Sequence, residues 1–317
     1  MKYPKNANLF MFILMMLFIF IGNGVLPIFF QYIFSFFPNM EIKNQMLILQ
    51  FASVIVCFIL PIILYIAIKK IPIKELIPME KLSIKNILIL IFLSFSIIPM
   101  IQLIAFITNI FYKDKVSDVI NIFTSLSLPK ALFITALVPA ITEELVFRGV
   151  ILTGYKKSPI LIGVLMSSLY FGLIHFTVTQ LFYTIAVGVI FALVVKVTKS
   201  IYATILMHFI LNGTQVIQVY LVREDSTQVA QQVYNIKDIL LNLFYYFIYF
   251  IISLPFLAFS IYLFIKYNKE KINDLKEENK IIKNDKNRPK AITLFFYINI
   301  IVYICYMILA HIAKKML

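Results

Sequence analysis

Long, nearly uninterrupted apolar runs are the feature that most limits how this chain can fold. Each is about 20 residues long, the length a helix needs to cross roughly 30 Å of hydrocarbon. Lipid offers the backbone no hydrogen-bond partners, so a crossing segment satisfies its own N–H and C=O groups by forming a helix. The continuity of the runs differs from the alternating pattern of membrane strands. The sequence therefore predicts an all-α, polytopic transmembrane helical bundle with about 8–9 spans, at residues 9–37, 46–68, 84–111, 130–151, 159–175, 178–196, 200–221, 239–265 and 291–313.

The positive charge of the chain lies in the connections between these runs. The net charge is +14, but 62% of the residues are hydrophobic and only 14% are charged, so we expect a lipid bilayer around the chain and no nucleic-acid partner. If the spans alternate, the basic loops share one side, which the positive-inside rule identifies as cytoplasmic. Richness in Ile, Lys, Asn and Phe is typical of an AT-rich bacterial genome. We therefore predict a multi-pass protein of a bacterial plasma membrane with a cytoplasmic N-terminus, an orientation that places Lys314 and Lys315 on the wrong side.

Two connections have distinctive sequences. No charged residue separates the runs 159–175 and 178–196, which as one helix would be roughly 55 Å long at 1.5 Å per residue. That length exceeds one crossing, so we predict a tight turn near 176–180. Residues 268–290 carry mixed charges and many Lys and Asn residues, and they are predicted to be a solvated, charged cytoplasmic loop.

Glu143, Glu144 and Arg148 lie in the middle of a predicted span, where charged side chains are costly. A charge at the centre of a membrane helix costs about 2.5–3.5 kcal/mol on insertion scales, so such residues usually face the interior of the bundle and serve a function. Glu144 can pair with Arg148 because residues four apart share a helix face, while Glu143 projects about 100° away. The pair alone could be a structural lock between helices, whereas the second carboxylate is suited to act as a general base. Pro139 lacks a backbone N–H and is expected to loosen the helix ahead of these residues.

Two histidines and an asparagine are also embedded in apolar runs. His175 follows Phe171 and Gly172, and the glycine would let another helix approach closely. His208 and Asn212 share a face of a later run and need hydrogen-bond partners there. Such a pair can fix the ring and point two donors at one position, which would stabilise an oxyanion in acyl transfer. Hydrogen bonding between helices is the simpler explanation.

The three motifs in this order, EExxxR, FxxxH and HxxxN, resemble the signature of the CPBP family. This family of CAAX proteases and bacteriocin-processing enzymes is also called Abi and includes the type II CAAX prenyl endopeptidases. The resemblance covers about residues 129–222, the expected catalytic core between N-terminal transmembrane helices (1–128) and C-terminal ones (223–317). It implies an intramembrane endopeptidase that hydrolyses a peptide bond of a membrane-associated peptide or protein.

The resemblance also implies roles for the motif residues. Glu143 would activate a water for attack on the peptide carbonyl, and Glu144 with Arg148 would order the site. His208 and Asn212 would hold the oxyanion.

The role that the resemblance implies for His175 is to position the water or to bind a metal, while Phe171 would pack the motif. The family is often labelled metallopeptidase, so zinc is a candidate cofactor, with Glu143, His175 and His208 as candidate ligands. The HExxH pattern of many zinc peptidases is absent. A zinc-bound Glu143 could not easily act as a free base, and we favour a water activated by glutamate without a metal.

The depth of the two histidines poses a geometric problem. Counting residues places His208 about 13 Å and His175 about 25 Å from the cytoplasmic side, so straight, upright helices cannot bring them together. Tilt, a break near Pro139 or a water-filled funnel is required. We expect a cavity that is reached from the cytoplasmic half or laterally from lipid.

Two other functions are compatible with buried Glu, His and Arg residues. A proton-coupled transporter uses such residues as relays, although the paired halves with broken helices of many transporters are not visible in the sequence. A non-catalytic immunity or scaffold protein could keep the same residues for structural reasons. The sequence leaves open the oligomeric state and the substrate, which could be a leader or pheromone peptide, a bacteriocin precursor or a membrane-protein tail.

Overall fold

A bundle of long helices forms the protein, described here by a computed structural model over residues 3–112, 126–221 and 235–316. No strand occurs within these ranges, which confirms the predicted all-α class. A one-turn helix, Ile73–Leu76, follows the second long helix. The boundary predicted at 222/223 lies outside the described residues. The long helices are α1 (Pro4–Phe34), α2 (Ile42–Lys69), α3 (Ile84–Phe111), α4 (128–154), α5 (Ile160–Leu173), α6 (Val178–Thr198), α7 (Ile201–Leu221), α8 (Ile236–Tyr267), α9 (Lys269–Asn284) and α10 (Leu294–Met316).

Six of these helices are long and apolar enough to cross a membrane, which confirms a polytopic helical bundle. They are α1, α2, α3, α6, α8 and, over Leu294–Ala313, α10. The other three predicted runs form α4, α5 and α7, and these helices or their ends carry all the site residues predicted from the sequence. With 14 residues, α5 is roughly 21 Å long and too short to cross the hydrocarbon.

The predicted basic loops meet at one end of the bundle, which we call the basic end. Met79 and Ser200 form an isolated antiparallel bridge there. The Thr153 hydroxyl donates to the Leu76 carbonyl at 2.9 Å, which ties the end of α4 to the connection after α2. These contacts put the loops on the same side of the bundle, as expected if spans alternate. The basic end comprises residues 70–83, 155–159, 199–200 and 268–293.

The polar segment predicted to be a solvated loop instead forms α9, so that prediction was wrong. Its Lys and Glu residues are good helix formers. Ile272 and Leu275, three residues apart, pack against the core formed by α3, α6 and α7. The Asn279 side chain accepts a hydrogen bond from the first backbone N–H of α5, that of Ile160, at 2.9 Å. Helix α9 is therefore docked across the basic end.

Helix α4 is not a regular α-helix throughout. It contains two π-helical stretches, Phe133–Leu137 and Leu145–Ile151, between short α-helical segments. The first stretch ends just before Pro139, where we predicted a loosened helix. Such π-helical turns are frequent at functional sites. In α4 the two π-helical stretches flank Val138–Glu144, the α-helical segment that carries both glutamates.

Helices α5 and α6 are separate, as predicted, and the turn between them occupies residues 174–177. Phe176 adopts a left-handed conformation, φ 51°, which reverses the chain direction. Its ring packs against Tyr303 and Tyr306 of α10, with centroid distances of 6.2 and 4.7 Å. Non-helical backbone at membrane depth is tolerated where protein buries it or where it lines a cavity. Helix α10 buries one side of this turn, which is one of the two situations in which such backbone is tolerated.

Candidate active site

Glu144 and Arg148 form the ion pair that their spacing predicted. Arg148 Nη1 lies 3.0 Å from Glu144 Oε1, and both side chains are fully buried. The guanidinium lies 4.4 Å from the ring centroid of Phe171 and 5.2 Å from that of Phe191, positions that favour cation–π attraction. Arg148 also donates to the Gly188 carbonyl at 3.5 Å. Helices α5 and α6 thus surround a charge pair that originates on α4.

Glu143, the adjacent carboxylate, lines a cavity instead. Its side chain is 17% exposed, and Oε2 has no hydrogen-bond partner within the described part of the chain. His208 Nε2 lies 3.9 Å from this oxygen, beyond the range of a hydrogen bond. The arrangement leaves Glu143 free to accept a proton from a molecule in the cavity.

His208 is oriented by Glu144. Its Nδ1 lies 3.0 Å from Glu144 Oε1, the same oxygen that binds Arg148. A carboxylate at this distance accepts, so we assign the proton of the imidazole to Nδ1. Nε2 then faces Glu143 and the cavity. It carries a lone pair in the neutral ring and a proton in the imidazolium.

Asn212 does not fix the His208 ring, which is where our expectation of a His–Asn pair was wrong. Its amide donates instead to the backbone carbonyl of Thr135 at 3.3 Å. The usual helical donor to that carbonyl would be the N–H four residues later, and Pro139 has none. Asn212 satisfies this carbonyl, and its second amide hydrogen remains available on the wall of the cavity.

His175 lies just beyond the end of α5. Its Nδ1 is 2.7 Å from the Phe171 carbonyl, so Nδ1 carries the proton and Nε2 is an acceptor in the neutral ring. The Phe171 ring packs edge-on against His175 and His208, with centroid distances of 5.2 and 5.8 Å. A Cβ added at Gly172 would lie 2.6 Å from Ile185 of α6. The glycine therefore permits the close helix contact that we predicted.

These residues meet at a cavity of about 460 Å³, which resolves the depth problem posed by the sequence. Glu143, His175, His208 and Asn212 all line it, and the short helix α5 brings His175 within reach of the residues on α4 and α7. Other lining residues are polar and were missed by our sequence analysis. Gln180, Tyr183 and Thr184 share one face of α6, and Gln215 lies one turn beyond Asn212. Their helical spacing relative to the motifs is the signal that could have identified them.

The cavity extends from His208, which lies in the half of α7 nearer the basic end, towards the opposite end of the bundle. Access from the cytoplasmic half or from lipid, which we expected from the sequence, stays a prediction. Helices α3, α5 and α7 start at the basic end, and their lining residues other than His208 lie in the later part of each helix. On α6, which ends there, the lining residues lie near its start.

The zinc hypothesis was tested against the same geometry. Within residues 3–112, 126–221 and 235–316, no three His, Cys, Asp or Glu side chains are placed to share one ion. Glu143, His175 and His208 border one cavity without forming such a cluster. The residues as arranged do not fit a zinc site, and we derive no step through a metal.

Comparison with known proteins supports the resemblance inferred from the motifs. Residues 125–214 match the family described as type II CAAX prenyl endopeptidase Rce1-like. Over 92 residues, the chain is 32% identical to the Bacillus subtilis (strain 168) protein named "Putative membrane peptidase YdiL". That similarity covers 29% of this chain and 38% of the relative. No solved structure matches the chain. Residues 125–214 contain Glu143, Glu144, Arg148, His175, His208 and Asn212, and this match supports the resemblance to the CPBP family.

Proposed function

We propose that this protein is an intramembrane endopeptidase that hydrolyses a peptide bond of a membrane-associated peptide or protein. The observation that carries the proposal is the contrast between two adjacent glutamates. Glu144 is fully buried and its Oε1 is bonded to Arg148 and His208, while Glu143 is 17% exposed and lines the cavity. Similarity to a family of prenyl endopeptidases and to a membrane peptidase supports the same activity.

The reaction would begin with a water beside Glu143. His175 Nε2 can accept one hydrogen bond from that water and hold it in place, while Glu143 accepts the other proton as attack begins. The water oxygen forms a bond to the peptide carbonyl carbon. Glu143, now protonated, then donates to the leaving nitrogen as the C–N bond breaks. Water is consumed, a carboxyl and an amine terminus are formed, and Glu143 is regenerated.

The developing oxyanion would be stabilised by Asn212 and His208. Asn212 offers its second amide hydrogen. His208 Nε2 can donate only when the ring is an imidazolium, because Nδ1 already donates to Glu144. Hydrogen-bond donors held in a site shielded from water stabilise a developing negative charge far more than the same donors do in solution.

Hydrolysis can be tested directly with purified protein in liposomes. Peptide substrates from a membrane extract, digested in water enriched in oxygen-18, should yield new C-terminal carboxylates that carry the heavy isotope. The label should appear with wild-type protein and be absent with Glu143→Gln. Equal labelling by both proteins, or none by folded wild-type protein across extracts from several sources, would count against the proposal.

A further inference from the structure

We propose that substrate enters the cavity from the end of the bundle opposite the basic end, which is the extracytoplasmic half of the membrane. The substrate class would be an exported or membrane-inserted peptide whose scissile bond lies in that half. That the entering molecule is a substrate rests on the function proposed above, whereas the route into the cavity rests on geometry alone.

The first argument is the position of the cavity along α7. The helix starts at Ile201, beside the basic end, and His208 lies roughly 10 Å along it at 1.5 Å per residue. From His208 the lining residues continue to Tyr220, roughly 18 Å further from the basic end. Gln215, on this path, is exposed. The cavity therefore extends from the candidate catalytic groups away from the basic loops.

The second argument is that the opposite route is filled. Between the cavity and the basic end lie the fully buried Glu144–Arg148 pair and a layer of apolar residues on α4 to α7. All members of this layer have no exposed surface, namely Phe147, Val150, Val164, Phe191, Ala192 and Ala203. Helix α9 and the loops that pack with it lie beyond this apolar layer, at the basic end of the bundle. Interiors this closely packed leave no passage for a peptide.

The third argument is orientation. The loops at the basic end are rich in lysine, and they include Lys70, Lys74, Lys81, Lys156 and Lys157. Positive charge in short loops marks the cytoplasmic side. The part of the cavity that extends beyond His208 then lies towards the extracytoplasmic side. Among the described residues that line it there is no Lys or Arg, and Glu143 is the only carboxylate of that set.

Accessibility to a membrane-impermeant maleimide tests this route without any need for activity. The exposed Cys305 would be replaced with serine, and the buried Cys57 kept. Single cysteines would then be placed at three exposed positions. Gln215→Cys probes the cavity, Asn39→Cys marks the end opposite the basic end, and Lys74→Cys marks the basic end.

We expect Gln215→Cys and Asn39→Cys to react in intact cells, and Lys74→Cys to react only in inside-out vesicles. The proposal is overturned if Gln215→Cys reacts from the same side as Lys74→Cys, if it reacts from neither side, or if Lys74→Cys reacts in intact cells. Adding Glu143→Gln should leave the labelling unchanged. Labelling as expected, together with no hydrolysis by folded wild-type protein, would overturn the proposed function and leave the access route standing.

Discussion

Glu144 and His208 are joined by a 3.0 Å contact inside the bundle, and the same carboxylate oxygen also binds Arg148. One fully buried acid thus orients the ring of a histidine on α7 and neutralises a cation on its own helix. In the proposed function the two adjacent glutamates therefore have different roles. Glu144 would position His208 and Arg148, and Glu143 would activate the water.

Replacing Glu144 with glutamine should destabilise the protein strongly. Arg148 would remain buried without its counter-charge, and removing one partner of a buried pair typically costs about 3–5 kcal/mol. Thermal unfolding of the purified protein in detergent would show a large decrease in Tm, together with loss of activity. Glu143→Gln is the matched control, because it removes one charge from the neighbouring position. Equal Tm values for the two variants would show that Glu144 has no special structural role.

Replacing Glu143 with glutamine should abolish hydrolysis and spare the fold. The amide cannot take a proton from water, and loss of a general base typically reduces kcat by about 10²–10⁴-fold. The Tm should stay near the wild-type value, since Glu143 Oε2 has no partner in the described residues to lose. Steady-state kinetics would check the loss of activity, and thermal unfolding of the same preparation would check that the Tm is unchanged. A fully active Glu143→Gln variant is incompatible with the proposed role.

Asn212 should contribute to the rate rather than to substrate binding. Removing one oxyanion donor typically lowers kcat by about 10²–10³-fold, so Asn212→Ala should lower kcat by a similar factor with little change in KM. Gln218→Ala on the same helix is a suitable control, because Gln218 is exposed and is not among the residues that line the cavity. A change confined to KM in Asn212→Ala would instead indicate a role in binding.

Chelation should leave activity intact if a glutamate alone activates the water. Purified protein would be dialysed against a zinc chelator, assayed, and assayed again after addition of zinc, magnesium or calcium. We expect no loss on chelation. Loss of activity with rescue by zinc alone would replace the metal-free mechanism with one in which Glu143, His175 or His208 binds the ion.

The sequence predicted the parts of the site that depend on local spacing. The i, i+4 relation placed Glu144 against Arg148 and turned Glu143 away, and Gly172 allowed the close approach of α6 that we expected. Apolar run lengths predicted the helical bundle. What the sequence could not supply was the contact between Glu144 and His208, because a bond between residues 64 positions apart depends on how α4 and α7 pack.

Two other differences have physical reasons that only the assembled fold shows. Residues 269–284 form a helix because Ile272 and Leu275 find apolar surface at the end of the bundle, whereas their polar neighbours alone suggested a loop. The sequence predicted the run 159–175 and a turn near 176–180, but not that the lining residues on α4 to α7 would together form a cavity that extends away from the basic end.

Cleavage of peptide bonds through Glu143 can be tested by comparing cells. Protein termini and free peptides would be compared among cells that lack the protein, cells that express wild type and cells that express Glu143→Gln at equal abundance. The account predicts peptides or new termini that appear only with wild type. Identical profiles from wild type and Glu143→Gln, both folded and abundant in the membrane, would contradict it.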